Sequence, residues 1–287
     1  MLVFPGRNQF ETRESNLSVK ILVCIKQILA PELAESSGRP GIKGGDEDPF
    51  PLTMPLPEDN CYRFNPFDEY AVEEALRIRE SFGNVTVDVL SLGPERCRGA
   101  LQRALEMGAD KATLLHLDRS AHLTPYETAS IIAGHLRDKA YDLILTGVMA
   151  EDAMQGQTGQ LIAALLDMPC STAVISERLL APRGPVYVER EEDGGERTAY
   201  ELQLPAVLTI QSGINRPRYP ALSHVLRART QEIAVIDAAP LLTASRERIV
   251  SVTRAESSAT CTFIMGTPRE KAGRFLDFCR QKGFLGP

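Results

Sequence analysis

The chain has 287 residues and a formal net charge of −6, with 32 basic and 38 acidic residues interspersed along it. This length allows one large domain or two ordinary ones with a sizeable core. Proteins that grip nucleic-acid phosphates usually carry a basic stripe, so no nucleic-acid partner is expected. No apolar run is long enough to span a bilayer, and residues 1–18 lack the basic and apolar parts of a signal peptide. We therefore expect a cytoplasmic protein without direct membrane insertion.

The six cysteines and four histidines are scattered and form no pair at metal-ligand spacing. Free cysteines of this kind behave as small apolar side chains in a reducing compartment. The sequence has no P-loop, no GxGxxG fingerprint after its first strand and no GxSxG motif. These residues indicate neither a metal site nor a catalytic group.

The first predicted element is a strand at Val19–Ile25, whose near-continuous apolar run is typical of burial on both faces of a sheet. Residues 27–64 hold many prolines and glycines, which predicts a long irregular surface segment. A helix begins after Asn65, because Asn is a capping residue, Pro66 suits the first helical position and acidic residues follow.

Helices and strands then alternate. The predicted strands lie at 85–92, 112–117 and 142–146, and the predicted helices lie at 94–107 and about 124–137. Alternation with short connections predicts right-handed crossovers and a doubly wound α/β fold, with a mostly parallel sheet and helices on both faces. In such folds ligands bind beyond the carboxyl ends of the strands.

The last third of the chain has a different pattern. A hairpin signal at Asp193–Gly195 lies among short strands at Val186–Glu191, 199–204 and Ala206–Ile210, which predicts antiparallel strands at the edge of the sheet. The remaining predictions are a short helix near 223–229, an extended arm at 230–266 and a final helix at about 267–282.

The most distinctive local pattern is GVMAEDAMQGQTGQ at residues 147–160, a loop that leaves a buried strand and ends at the start of a helix. The N–H groups of Gln157, Thr158 and Gly159 would point outward at the positive end of the helix dipole. Small residues there let a phosphate approach the main chain closely. A nucleotide cradle and a plain turn, with Gln157 or Thr158 capping the helix, both fit this pattern.

Seven segments form a collinear set: VKILVCIKQ, NPFDEYAVEEALRI, LSLGPE, ALEMGAD, the 147–160 loop, VEREEDGGE and LPAVLTIQSGINRPRYPAL. Together they resemble the β subunit of the electron transfer flavoprotein family. The resemblance implies an adenine-nucleotide α-hydrolase-like domain at residues 19–229, an N-terminal extension at 1–18, and a C-terminal arm and helix at 230–287. It also makes residues 36–60 an insertion.

The resemblance further implies a heterodimer with a homologous α subunit, carrying electrons from flavin dehydrogenases to a downstream acceptor. This chain would then be an electron carrier subunit and not an enzyme by itself. In the family the α subunit holds most of the redox FAD, and the β subunit buries an AMP. The AMP-binding residues so implied are Cys24, Asn65, Pro66, Phe67, Asp68, Leu92, Gly147, Val148, Met149, Ala150, Glu151, Asp152, Ala153, Met154, Gln155, Gly156, Gln157 and Thr158.

Within this set we place the phosphate at Gln157 and Thr158 and near Asn65. Asp152 would face the ribose hydroxyls, since a carboxylate beside a phosphate costs energy; alternatively it only caps a turn. In electron-bifurcating relatives a second FAD replaces the AMP, although the QTGQ sequence here is more similar to the AMP type. A stand-alone adenine-nucleotide sensor is a third interpretation.

The segment at 215–229 corresponds to the family's recognition loop for flavin dehydrogenases. The partner-binding residues so implied are Tyr219, Leu222 and Val225, with Leu222 as the apolar anchor. In the alternative interpretation Leu222 is a core residue of a short helix.

Overall fold

A computed structural model describes residues 18–30, 62–118, 123–182, 184–246, 261 and 263–284. The chain divides into two compact units, Met1–Arg248 and Ile249–Pro287. The predicted extension at 1–18, apart from Ser18, and the predicted insertion at 36–60 lie outside the described residues. The boundaries of the predicted domains therefore stay predictions.

The first unit contains eleven strands and five helices among its described residues. The strands are β1 (Val19–Ile25), β2 (Gln27–Leu29), β3 (Tyr62–Phe64), β4 (Val85–Gly93), β5 (Lys111–His116), β6 (Leu143–Gly147), β7 (Cys170–Leu179), β8 (Val186–Glu191), β9 (Arg197–Leu202), β10 (Ala206–Ile210) and β11 (Ile233–Asp237). The helices are α1 (Pro66–Phe82), α2 (Arg98–Met107), α3 (Pro125–Leu136), α4 (Thr158–Leu166) and α5 (Leu222–Ala228).

Nine of these strands form one sheet in the order β11-β5-β4-β1-β6-β10-β7-β8-β9. Strand β1 lies at its centre and pairs in parallel with β4 on one side and β6 on the other. The chain proceeds from β1 outward to β4 and β5 and then returns to β6, on the opposite side of β1. The order of strands thus reverses between β1 and β6, which is where open α/β sheets bind their ligands.

Successive side chains of a strand point to opposite sides of the sheet. Apolar side chains therefore lie on both faces, and helices cover both of them. Ile21 and Val23 of β1 belong to an apolar cluster that includes residues of α1 and α2. Leu22 and Cys24 belong to a second cluster, with residues of α3 and α4. The doubly wound, mostly parallel α/β fold predicted from the alternation is confirmed.

The antiparallel edge is made by β8 and β9, which follow β7. Strand β10 was expected in the same edge region, but it lies inside the sheet, parallel to β6 and β7. All five of its residues are buried and four of the five are apolar, which suits a strand covered on both faces.

Two segments expected to be irregular contain short strands. Strands β2 and β3 pair antiparallel at the two ends of the 27–64 segment. Strand β11 begins the predicted arm at 230–266 and pairs in parallel with β5 at the edge of the sheet. The large sheet therefore has one more strand at its β5 edge than the sequence indicated, and β2 and β3 form a small sheet of their own.

The described part of the second unit is dominated by helix α6 (Pro268–Gln281), as predicted. A capping box begins it: Thr267 accepts from the backbone of Glu270, whose side chain returns to the backbone of Thr267. Within the described residues, no helix of the protein combines the length and hydropathy needed to cross a bilayer.

Candidate functional site

Asp68 joins the ends of the two central strands to the first turn of α1. Its Oδ2 accepts the backbone N–H of Lys26, just after β1, at 2.7 Å, and its Oδ1 accepts that of Gly147, at the end of β6, at 3.0 Å. The side chain is buried. Both oxygens are thus engaged at the point where the strand order reverses, which fixes the start of α1 against this edge of the sheet.

The carboxyl group of Asp68 has an unusual acidity. Burial raises its pKa to about 7, although the hydrogen bonds from Lys26, Asn65 and Gly147 act in the opposite direction. This group therefore exchanges its proton near neutral pH, at the junction where the ends of β1 and β6 meet the first turn of α1.

Asn65 directs the loop that follows β6. Its Nδ2 donates to the carbonyl oxygen of Met149 at 3.0 Å, and its Oδ1 accepts from the backbone N–H of Glu151 at 3.2 Å. It stands at the N-cap position of α1, as predicted, but its side chain makes no capping hydrogen bond. The reason is that both ends of the buried amide are used by the loop.

Two glycines permit helices to approach the strand ends closely. A Cβ on Gly147 would lie 2.5 Å from Oδ1 of Asp68 and 2.7 Å from the carbonyl carbon of Phe67. A Cβ on Gly159 would lie 2.6 Å from Cγ2 of Thr209 and 2.8 Å from Oγ1 of Thr146 in β6. No side chain fits at either position, so the starts of α1 and α4 contact the sheet through bare backbone.

The middle of the loop after β6 is exposed, from Glu151 to Gln155. Met154 is 65% exposed and has a positive φ of 52°. Asp152 pairs with the Lys26 amine at 2.7 Å, and Glu151 pairs with Arg63 at 2.5 Å. Exposed ion pairs contribute only about 0–1 kcal/mol, so a ligand can displace them at little cost.

Helix α4 begins at Thr158 without a capping side chain among the described residues. Gln157 stands at the N-cap position, as one of the two interpretations expected, but its side chain makes no capping hydrogen bond. The first N–H groups of a helix have no acceptor within it, and the helix dipole makes that end positive. The end of α4 that follows the loop can thus accept an anion.

Cys24 and Leu92 lie at the ends of β1 and β4 and share the apolar cluster on the α3 and α4 side of the sheet. Burial raises the pKa of the Cys24 thiol to about 12, so it stays neutral and unreactive at physiological pH. Of the other predicted site residues, Pro66 and Phe67 open α1, and Val148 is fixed by a backbone bond to Ile210 at 2.9 Å.

The backbone N–H of Asp68 donates to the carbonyl oxygen of Asn65 at 3.0 Å, so direct hydrogen bonds link Asn65, Asp68, Gly147, Met149 and Glu151. Cys24 and Leu92 reach the same edge of the sheet without joining this network. Sequence reasoning missed Lys26, which contributes both its backbone N–H and its amine to the rim. The one feature of the sequence that could have indicated Lys26 was its position directly after β1. In the described part of the chain, no three His, Cys, Asp or Glu residues form a group able to hold a metal.

The predicted partner-binding residues lie in and before α5. Tyr219 is 93% exposed and Leu222 is 73% exposed, whereas Val225 is half-buried. The interpretation of Leu222 as a core residue is wrong, because it is the first residue of α5 and faces solvent. Arg218 anchors this segment to Glu73 of α1. It was not among the predicted partner-binding residues.

Two cavities lie near these groups. One of about 740 Å³ lies between α1 and residues 213–216, beside the segment that carries Tyr219. The other, of about 630 Å³, lies between β2, β3 and the starts of α1 and α2, and Pro66 is in its wall. Neither of these two is lined by the loop after β6.

Comparison with known proteins gives the family. Residues 56–241, more than half of the chain, match the family described as "Electron transfer flavoprotein domain". The chain is 38% identical over 184 residues to the electron transfer flavoprotein subunit beta of Sus scrofa, covering 63% of this chain and 70% of that protein. It is 33% identical over 174 residues to the subunit of that name from Bacillus subtilis (60% and 66% covered) and 29% identical over 272 residues to that of Methylophilus methylotrophus (92% and 98%). This chain belongs to the electron transfer flavoprotein β-subunit family.

Proposed function

We propose that this chain is the β subunit of a heterodimeric electron transfer flavoprotein, in which it binds AMP and presents a docking surface for flavin dehydrogenases. The α subunit of the heterodimer would hold the redox FAD. Membership of the β-subunit family supports the carrier role. No residue of this chain is assigned a bond-making step.

The observation that carries the AMP proposal is the edge between β1 and β6. There the strand order reverses, the loop with the exposed residues 151–155 begins, and the start of α4, which has no side-chain cap, follows. Such an edge suits a nucleotide, because a phosphate gains hydrogen bonds from free backbone N–H groups and attraction from the helix dipole. These features support the proposal that this edge binds an adenylate.

The phosphate and the ribose of the nucleotide each have a candidate contact. The N–H groups of Gln157 and Thr158 would hold the phosphate, and Asp152 would accept from the ribose hydroxyls. Lys26 supports this arrangement, since its amine already holds the Asp152 carboxylate at the rim. Asn65 would act by shaping the loop, because its amide is occupied by Met149 and Glu151.

The proposed docking surface is supported by the exposure of its apolar side chains and by the anchoring of the chain before them. Tyr219 and Leu222 project large apolar groups into solvent, while the chain before them is fixed to α1 through Arg218. A small contact with an apolar anchor suits the short-lived complexes of electron transfer. We infer that Leu222 is the anchor and that Tyr219 and Val225 flank it.

The test is to isolate the full chain with the α subunit, release bound nucleotides by heat, and identify and count them. We expect one AMP and one FAD per heterodimer. Two FAD molecules and no AMP would instead make the chain a subunit of an electron-bifurcating flavoprotein. A stable monomer that binds nucleotide and recruits no α subunit would make it a nucleotide sensor.

A further inference from the structure

The cavity of about 630 Å³ between β2, β3 and the starts of α1 and α2 has a basic wall. Three arginines line it: Arg63, Arg96 and Arg103. Gln27, Tyr62 and Glu69 lie in the same wall. Of the described residues that line the cavity, Glu69 is the one acid. Its volume lies within the range of small-molecule pockets, about 300–1,000 Å³.

Arg96 is held in place by an aromatic ring, and one of its donors has no acceptor in the part of the chain that the structure describes. Its guanidinium lies 4.4 Å from the centroid of the Tyr62 ring, a cation–π contact that fixes the plane of the group. Within the described residues, its Nε is buried without a hydrogen-bond acceptor, and no carboxylate pairs with it. A planar guanidinium in this state is ready to bind an oxyanion through parallel hydrogen bonds.

Gln27 leaves an acceptor unused in the same wall. Its Nε2 donates to the carbonyl oxygen of Arg96 at 3.0 Å, which fixes the amide. Its Oε1 is buried and receives no hydrogen bond within the described residues. A buried polar atom left unpaired costs about 1–3 kcal/mol, so the wall favours an occupant that offers both an acceptor and a donor.

The other two arginines differ in how far they are neutralised. Arg63 is paired with Glu151 at 2.5 Å. Arg103 lies 5.8 Å from the ring of Tyr219, and among the described residues it pairs with Glu106 at 4.0 Å and is attracted by the charge of Glu69 in the same wall. Arg96 and Arg103 therefore keep most of their charge available to the cavity.

We propose that this cavity binds a small free oxyanion, a phosphate or carboxylate group carried next to a hydroxyl, at a site separate from the nucleotide edge. Arg96 donates to the anionic oxygens, Arg103 adds charge, and the Oε1 atom of Gln27 accepts from the hydroxyl. The site needs no electron transfer, so it does not depend on the function proposed above.

The test is a calorimetric titration of the full-length protein, with any subunit it retains and with saturating AMP. Glycerol 3-phosphate and citrate, which carry a phosphate and a carboxylate beside a hydroxyl, are the two probes, and sodium chloride keeps the ionic strength constant. We expect both probes to bind, and Arg96→Gln and Arg103→Gln to weaken the binding at least tenfold. Arg98→Gln is the matched control, since Arg98 is paired with Glu95 and does not line the cavity.

Failure of either probe to bind, or an affinity of Arg96→Gln within twofold of the wild type, would overturn the proposal. Loss of AMP binding in Arg96→Gln, at unchanged thermal stability, would also overturn it by making the cavity part of the nucleotide site. If the wild type binds no AMP but binds the probes in an Arg96-dependent way, the nucleotide proposal fails and this one stands.

Discussion

Arg218 and Glu73 form a bidentate ion pair between the proposed docking segment, residues 215–229, and α1. The Nε of Arg218 donates to Oε2 of Glu73 at 2.8 Å, and Nη2 donates to Oε1 at 2.9 Å. The backbone N–H of Arg218 adds a bond to the same Oε2 at 3.1 Å. Its Nη1 bonds Glu80, two helical turns further along α1 on the same face. This arrangement fixes the chain just before Tyr219.

Replacing Arg218 should therefore destabilise the protein. Arg218→Gln leaves the buried Glu73 carboxylate without its cation, which we expect to lower the free energy of unfolding by about 2–4 kcal/mol. Arg218→Lys keeps the charge but not the fork geometry, so it should recover part of this loss. The measurement is denaturant unfolding, with Arg227→Gln on exposed α5 as control. Equal stability of Arg218→Gln and Arg227→Gln would contradict the role given to the pair.

The elements that the sequence predicted well are those with a strong local pattern. The predicted bounds of β1 match the structure because its apolar run is nearly continuous. Helix α3 begins directly after Thr124 because Thr124 and Glu127 form the expected capping box. The elements it missed have weak patterns. Strands β2 and β3 have three residues each, and four of the five residues of β11 are exposed at the edge of the sheet. Short or exposed strands are fixed by their partners, which periodicity does not reveal.

The same division holds for the candidate site. The meeting of Asn65 with the 147–160 loop was foreseeable, since helix starts and the carboxyl ends of parallel strands share one edge of the sheet. The individual hydrogen bonds were not, because they join residues that are distant in sequence. Arg218 and Glu73, for example, are 145 positions apart. The one local hint was that Glu73 and Glu80 lie seven residues apart, on one face of a predicted helix.

Leu222→Ala tests the docking surface. We expect the KM of a flavin dehydrogenase for this protein, as electron acceptor, to rise roughly 5- to 30-fold, because truncating an apolar anchor costs about 1–2 kcal/mol. Flavin content and thermal stability should stay unchanged, since the side chain is 73% exposed. Leu180→Ala, at an exposed leucine after β7, is the control. A KM that changes equally in both variants would exclude Leu222 as the anchor.

Gly147→Ala tests the close approach of α1 to β6. The added Cβ would overlap Oδ1 of Asp68 and the backbone of Phe67, so the junction must open. We expect a loss of about 2–3 kcal/mol in the free energy of unfolding, together with a lower AMP content after purification. Gly273→Ala is the control, because a Cβ there meets nothing within 4 Å inside helix α6 and should stabilise slightly. Retention of both stability and AMP in Gly147→Ala would show that the junction tolerates a side chain.

Asp68→Asn tests the buried carboxyl group through the pH dependence of stability. The pKa of Asp68 rises from its ordinary 3.8 to about 7 in the folded protein, chiefly because of burial. Between these values the folded protein holds a proton that the unfolded chain has lost, so this group makes stability fall as the pH rises from about 4 to 7. The slope is at most about 1.4 kcal/mol per pH unit.

Asparagine does not titrate, so the variant should show a flatter decline in its free energy of unfolding across this window. Denaturant unfolding at pH 5, 6 and 7 measures the difference in slope, whatever the absolute stability of the variant. Asp193→Asn, in the exposed turn between β8 and β9, controls for the removal of an acid as such. If the wild type and Asp68→Asn lose stability in parallel between pH 5 and 7, Asp68 is ionised in the folded protein throughout that range, and the junction is held by a permanent carboxylate.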